Sequence, residues 1–292
     1  MANKEIYNEI LSHAPNRRRM LKKLGLAGAA AGALVSSGRK LTAQSSSPSP
    51  TDVVQFALNL EYLEAEFYSV ATTGTLLEAK GIDLTGIGTP GPTTTAFGAV
   101  NFSNNIVFTG SVAQDIAADE LAHVQILRQA LMSNGATPIA KPAINLDALA
   151  AQGASLANEA SFLTLARIFE DTGLTAYSGA ASLLQNSPYL PTAARITGVE
   201  GLHAANIRLQ VARLAISSPQ VDAADVVPPP SGTNFFATNL ENGLCATRTP
   251  GEVLFLVYGN AANVTKGGFF PNGVNGNVNT STGPATAANL NA

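Results

Sequence analysis

Cysteine, histidine and basic residues are all scarce in this chain of 292 residues, and each scarcity excludes something. The single cysteine, Cys245, rules out an internal disulfide, so stability must come from a packed core. It also leaves no set of thiolates for a soft metal. Taken alone, Cys245 reads as a small buried apolar residue. Long apolar runs are missing as well. The segment 24–35 has 12 apolar or small residues, too few for a bilayer core, which needs about 20.

What precedes that segment gives it a meaning. Arg17-Arg18-Arg19-Met20-Leu21-Lys22-Lys23 forms a basic head before a short apolar run, the pattern of an export signal. The paired arginines followed by Met-Leu-Lys resemble a twin-arginine signal. That resemblance implies the twin-arginine export machinery as a partner of the precursor, with the folded product delivered to the periplasm or outside the cell. A boundary near Ala43 separates this signal, residues 1–43, from the rest. The signal holds 8 of the 17 Lys+Arg and 2 of the 20 Asp+Glu, which leaves 9 basic and 18 acidic residues. A body with net charge −9 is unsuited to nucleic acid, whose phosphates call for basic residues, and suits cations.

The mature stretch reads as helices with one long interruption. Ser49-Pro50-Thr51-Asp52 is a helix start: a capping serine, a proline for the first turn and an acid at the positive end. Apolar residues at helical spacing then run to about Val70. Residues 72–104, rich in Gly, Thr, Pro and Asn, read as a long loop. A second helix starts near Ser111, with Ser111 and Gln114 as a capping box, and stops at Asn134-Gly135. A crossover over 136–154 with a short helical piece at 147–151 leads to a third helix over 155–185 and, after a tight turn, a fourth over 190–216. A crossover of about 20 residues reaches about 66 Å when extended, enough to return along a bundle. The expected fold class is therefore all-α, a four-helix bundle over 44–220 with the long crossover between helices two and three. The extension 221–292 adds a capped helix from Thr249-Pro250-Gly251-Glu252, buried against the bundle, and an irregular tail.

Only two histidines remain in the mature chain, and each has a glutamate three residues before it: Glu120-x-x-His123 and Glu200-x-x-His203. Residues at i and i+3 share a helix face, so each pair can point at one ion. With glutamate at 10 of 249 mature positions, both pairings arise from composition alone about once in 600 chains. Helix one carries Glu61 and helix three carries Glu170, each with a tyrosine seven residues later, Tyr68 and Tyr177. Seven residues are close to two turns, so each tyrosine shares its glutamate's face. The chain thus repeats Glu-x6-Tyr followed by Glu-x-x-His. Glu64 shares the face of Glu61 and is a reserve ligand, whereas Glu66 points away. Asp119 and Asp171 adjoin candidate ligands but face about 100° away, as surface groups or outer partners of the site.

These residues resemble the ferritin-like di-iron carboxylate proteins, in which two helices each give a glutamate and two others each give Glu-x-x-His. The match covers about 50–217. The run from Phe56 to Tyr68 and the tail Phe269-Phe270-Pro271-Asn272-Gly273 are similar to the desiccation-related, exported branch of that superfamily. The resemblance implies two iron ions, or manganese in their place. Glu61 and His123 would hold one and Glu170 and His203 the other, with Glu120 and Glu200 bridging. Tyr68 and Tyr177 would hydrogen-bond the carboxylates from behind. The implied chemistry is redox, with dioxygen or hydrogen peroxide as the small-molecule substrate. A non-enzymatic stress protein on the same scaffold is the alternative. A homo-oligomer is compatible with this reading, but the long loop and the extension depart from compact cage-forming ferritins.

Overall fold

The computed structural model of the chain describes residues 47–102 and 109–291, so the export-signal reading of 1–43 lies outside the described residues. Among the described residues four long helices form the fold: α1 (Pro50–Thr73), α2 (Thr109–Ser133), α3 (Glu159–Ala180) and α4 (Leu190–Arg213). A short α5 (Pro250–Val257) follows. Helix α1 packs along α2, α3 packs along α4, and the two pairs meet through α1–α3 and α2–α4 contacts. This is an all-α four-helix bundle with its crossover between the second and third helices.

Helix α1 starts as its sequence dictates. The Ser49 hydroxyl accepts from the Asp52 N–H, and the Asp52 carboxylate accepts from the Ser49 N–H at 3.0 Å. Pro50 sits in the first turn, and Gly74 closes the helix at φ 69°. Almost every residue from Val53 to Ala71 is buried, which makes α1 the central element. The same device starts α5, where Thr249 and Glu252 form a capping box.

Other boundaries differ from the sequence reading. Helix α2 is already formed at Thr109, so Ser111 lies inside it and does not cap with Gln114. Helix α3 begins at Glu159 and not at Ser155, with the Asn158 side chain accepting from the Ser161 N–H at 3.0 Å as its cap. It ends at Ala180, and turns replace the expected last residues. Helix α4 stops at Arg213, just before Ala215 takes a left-handed φ of 52°. Cys245 is half-buried rather than buried, in a segment bridged to Thr238 and with its Sγ 3.1 Å from Ser178 Oγ.

The long loop is pinned to the crossover. Strand β1 (Thr93–Thr94) pairs in parallel with β2 (Ile144–Asn145), and Ile87 bridges to Ile139. Beneath them Glu66, fully buried, accepts from Thr93 Oγ1 at 2.7 Å and from the Leu77 N–H at 3.0 Å. Lys141 Nζ lies 3.2 Å from the same carboxylate. Glu66 therefore points away from Glu61 into a closed polar pocket and not into solvent. Three buried arginines do the same for the extension. Arg167 of α3 donates to both Asp225 oxygens, Arg208 of α4 to the Asn234 and Phe235 carbonyls, and Arg248 to Asp222 and Thr175. Asn59 of α1 and the backbone of Asn275 exchange two hydrogen bonds at 2.9 Å.

Candidate metal centre

The bundle brings the six sequence-selected side chains to one buried place. Helical spacing explains the local part: Glu120 with His123, and Glu200 with His203, each lie one turn apart on an inward face. Packing supplies the rest. His123 Nδ1 lies 3.3 Å from Glu61 Oε2, 3.2 Å from Glu120 Oε2 and 3.6 Å from Glu200 Oε1. His203 Nδ1 lies 3.0 Å from Glu120 Oε1 and 3.3 Å from Glu170 Oε2. Glu120 thus offers one oxygen to each histidine. Two donor groups result, Glu61, Glu120, His123 and Glu200 on one side and Glu120, Glu170 and His203 on the other. Within each group the donor atoms lie within 4.8 Å of one another.

The tyrosines cross between the halves. Tyr68 of α1 donates to Glu170 of α3, and Tyr177 of α3 donates to Glu61 of α1. The two are not each paired with the glutamate of their own helix, because seven residues climb about 10.5 Å, beyond a hydrogen bond's reach. The repeat in the sequence is thereby expressed as a reciprocal clasp. Outside the cluster, exposed Asp119 accepts from His203 Nε2 or pairs with it at 3.1 Å, orienting the ring so that Nδ1 faces inward.

The electrostatics fit a cation. Glu61 Oε2, Glu120 Oε1, Glu170 Oε2, both Glu200 oxygens and His203 Nδ1 are buried without a hydrogen bond. Such orphaned acceptors are costly unless something positive meets them. Burial raises the Glu200 carboxyl well above its ordinary value, and the Glu120, Glu61 and Glu170 carboxylates add to it. Burial likewise raises Glu120 to about 7. Burial also pushes Glu61 up, but His123 attraction and hydrogen bonds outweigh it and leave Glu61 below its ordinary value. Desolvation would depress His123, yet the Glu61 and Glu120 carboxylates lift it to about 11. His203, flanked by Glu170 and Glu120, rises against its own desolvation to about 12. Four carboxylates and two imidazoles at these distances are a donor set for hard or borderline divalent ions.

A family model described as the ferritin-like domain matches residues 49–213. This chain belongs to the ferritin-like family. One curated relative, the ferritin-like catalase Nec2 of Nesocodon mauritianus, is 27% identical over 273 residues, covering 78% of this chain and 84% of that protein. No solved structure matches the chain significantly.

Within this ferritin-like centre the structure places the reserve Glu64, adds Gly173 and relocates Asp171. Glu64 is 6% exposed and lies beside the cluster, outside both donor groups. Its carboxyl is raised well above the ordinary value by burial and by the Glu200, Glu120, Glu170 and Glu61 carboxylates. Gly173 lets α3 approach the centre: a Cβ there would lie 2.2 Å from Glu200 Oε2. A glycine in mid-helix costs about 1 kcal/mol against alanine, and that cost was the available sequence signal. Asp171 is not a surface group or a partner of the site. It is buried, 2.7 Å from Arg208 and 3.6 Å from Arg167, on the side of α3 that holds the extension.

Proposed function

We propose that this ferritin-like protein holds two metal ions, iron or manganese, and uses them to consume hydrogen peroxide, with dioxygen as the related oxidant. The observation that carries the reading is the convergence of six buried side chains in two adjoining donor groups, with several carboxylate oxygens that accept no hydrogen bond. Two ions that each change charge by one would supply the two electrons that peroxide chemistry exchanges. Disproportionation of two peroxide molecules to two waters and dioxygen needs no outside reductant. The catalase named among the relatives favours peroxide over dioxygen.

The chain's own residues have separable parts in this reading. Glu61 and His123 would hold one ion, Glu170 and His203 the other, with Glu120 and Glu200 between them. Tyr68 and Tyr177 would fix the carboxylates of the opposite half, and Asp119 the ring of His203. Export of an already folded protein through the twin-arginine machinery suits a centre that is filled before secretion.

The test is a metal count. The purified mature protein is loaded anaerobically with Fe(II), or with Mn(II), freed of loose ions and analysed by mass spectrometry. Close to two ions per chain is the expected result, followed by oxygen release from peroxide. Replacing Glu120 and His123 together by alanine should remove most of the bound metal. Full stoichiometry in that double variant overturns the assignment.

A further inference from the structure

Glu64 and Gly173 hold matching places in the internal repeat, each three residues beyond the glutamate of its helix, Glu61 on α1 and Glu170 on α3. One half therefore carries an extra carboxyl where the other carries no side chain at all. A methyl on Gly173 would lie 2.2 Å from Glu200 Oε2 and 3.4 Å from Glu64 Oε1, so those oxygens are at most about 5.6 Å apart. Glu64 is more than nine-tenths buried, and its carboxyl hydrogen-bonds to no group among the described residues. It borders a cavity of about 40 Å³. Leu60, Leu63 and Phe169 of the bundle wall this cavity, and Leu256, Val257 and Phe269 close it from the extension. The closing residues lie beyond the matched family segment 49–213.

Size and lining narrow the occupant. At about 10–15 Å³ for each water, the cavity takes a molecule of two or three heavy atoms. Walls that are apolar except for Glu64, Thr172 and Asn260 penalise an ion but accept a small neutral molecule. Glu64 presents a hydrogen-bond acceptor whether or not it is protonated. Hydrogen peroxide has this size, this neutrality and O–H groups to donate.

We infer that this cavity is the peroxide-binding antechamber of the metal centre, with Glu64 as its polar anchor and the C-terminal extension as its roof. The inference rests on the peroxide reading above. Peroxide held at Glu64 stands beside Gly173, the residue that borders Glu200 of the donor cluster, while the roof of Leu256 and Phe269 restricts larger molecules. Glu64 acts here as a binding residue and the extension as a size filter.

The test uses the metal-loaded mature protein and two variants. Leu256→Trp fills the cavity from the roof, and Glu64→Leu keeps a side chain of similar size and removes the acceptor. Metal per chain is counted in each. Nitric oxide association with the Fe(II)-loaded protein is followed by stopped-flow absorbance, as a small neutral probe of access that needs no turnover. Leu256→Trp should keep its metal and slow nitric oxide association by about tenfold or more. Glu64→Leu should keep its metal and its nitric oxide rate while the KM for peroxide rises about tenfold. A loaded Leu256→Trp protein with the parental nitric oxide rate overturns the antechamber. So does a Glu64→Leu protein with the parental KM, and this variant of similar size decides the matter if Leu256→Trp fails to fold. A parental protein that binds metal, admits nitric oxide through the cavity and leaves peroxide untouched overturns the peroxide reading and the Glu64 role, while the access route stands. A parental protein without metal overturns both.

Discussion

At the scale of single residues, the centre depends on where side chains are missing as much as on where they are present. Alanine at Gly173 should favour the helix by about 1 kcal/mol on propensity alone. In this fold its Cβ would collide with a Glu200 carboxylate oxygen 2.2 Å away. The expected outcome of Gly173→Ala is weaker metal binding with no gain in stability, measured by calorimetric metal titration and thermal melting. A variant that melts higher and binds metal as before would show that Glu200 is free to move aside. The two Glu-x-x-His pairs were legible in the sequence as a local pattern on one helix face, and Glu61 and Glu170 through the tyrosine that follows each by seven residues. Glu64 was legible only as a reserve, since nothing local tells a ligand from a neighbour one turn away. The destination of Glu66 was not legible at all, because Thr93 and Lys141, which enclose it, come from the loop and the crossover.

At the scale of elements, the capping signals read most directly. Ser49, Pro50 and Asp52 started α1 where the sequence indicated, and Thr249 with Glu252 started α5. The third helix, expected from residue 155, starts instead at Glu159 behind the Asn158 cap. Replacing Ser49 by alanine should cost about 1 kcal/mol in urea unfolding at neutral pH. The cost should shrink in acid. Burial pushes the Asp52 carboxyl up slightly, but hydrogen bonds from Ser49 and Asn277 outweigh it and hold it below its ordinary value. A depressed carboxyl contributes stability that is present above its unfolded pKa and is lost as pH falls through the folded one. Parent and variant should therefore converge below the ordinary carboxylate range. A pH-independent difference would mean that Asp52 takes no part in the cap.

At the scale of the whole molecule, the extension belongs to the fold and is not an appendage. Arg167 is fully buried and gives hydrogen bonds to Ser218, Pro219 and Asp225, all beyond the bundle helices. Arg167→Met should cost about 3–5 kcal/mol, because it strands the Asp225 carboxylate in the interior. The measurement is the urea midpoint of the metal-free protein, followed by both circular dichroism and tyrosine fluorescence. Loss of the extension alone, seen as a first transition separate from helix melting, would show that the bundle stands without it. A cost below about 1 kcal/mol would mean that water reaches Asp225 in the variant.

The sequence by itself indicated the four long helices, the two Glu-x-x-His pairs and the repeat that relates the two halves. These follow from rules that act within a few residues: turn chemistry, a rise of about 1.5 Å per residue and the sharing of one face at i and i+3. Only the tertiary structure decided that Tyr68 reaches Glu170 and Tyr177 reaches Glu61, that Asp171 turns to Arg208, and that Leu256 and Phe269 close a cavity over Glu64. Those contacts depend on how far each helix slides and rotates against its neighbour. That displacement is set by the whole packed interior, and no local period encodes it.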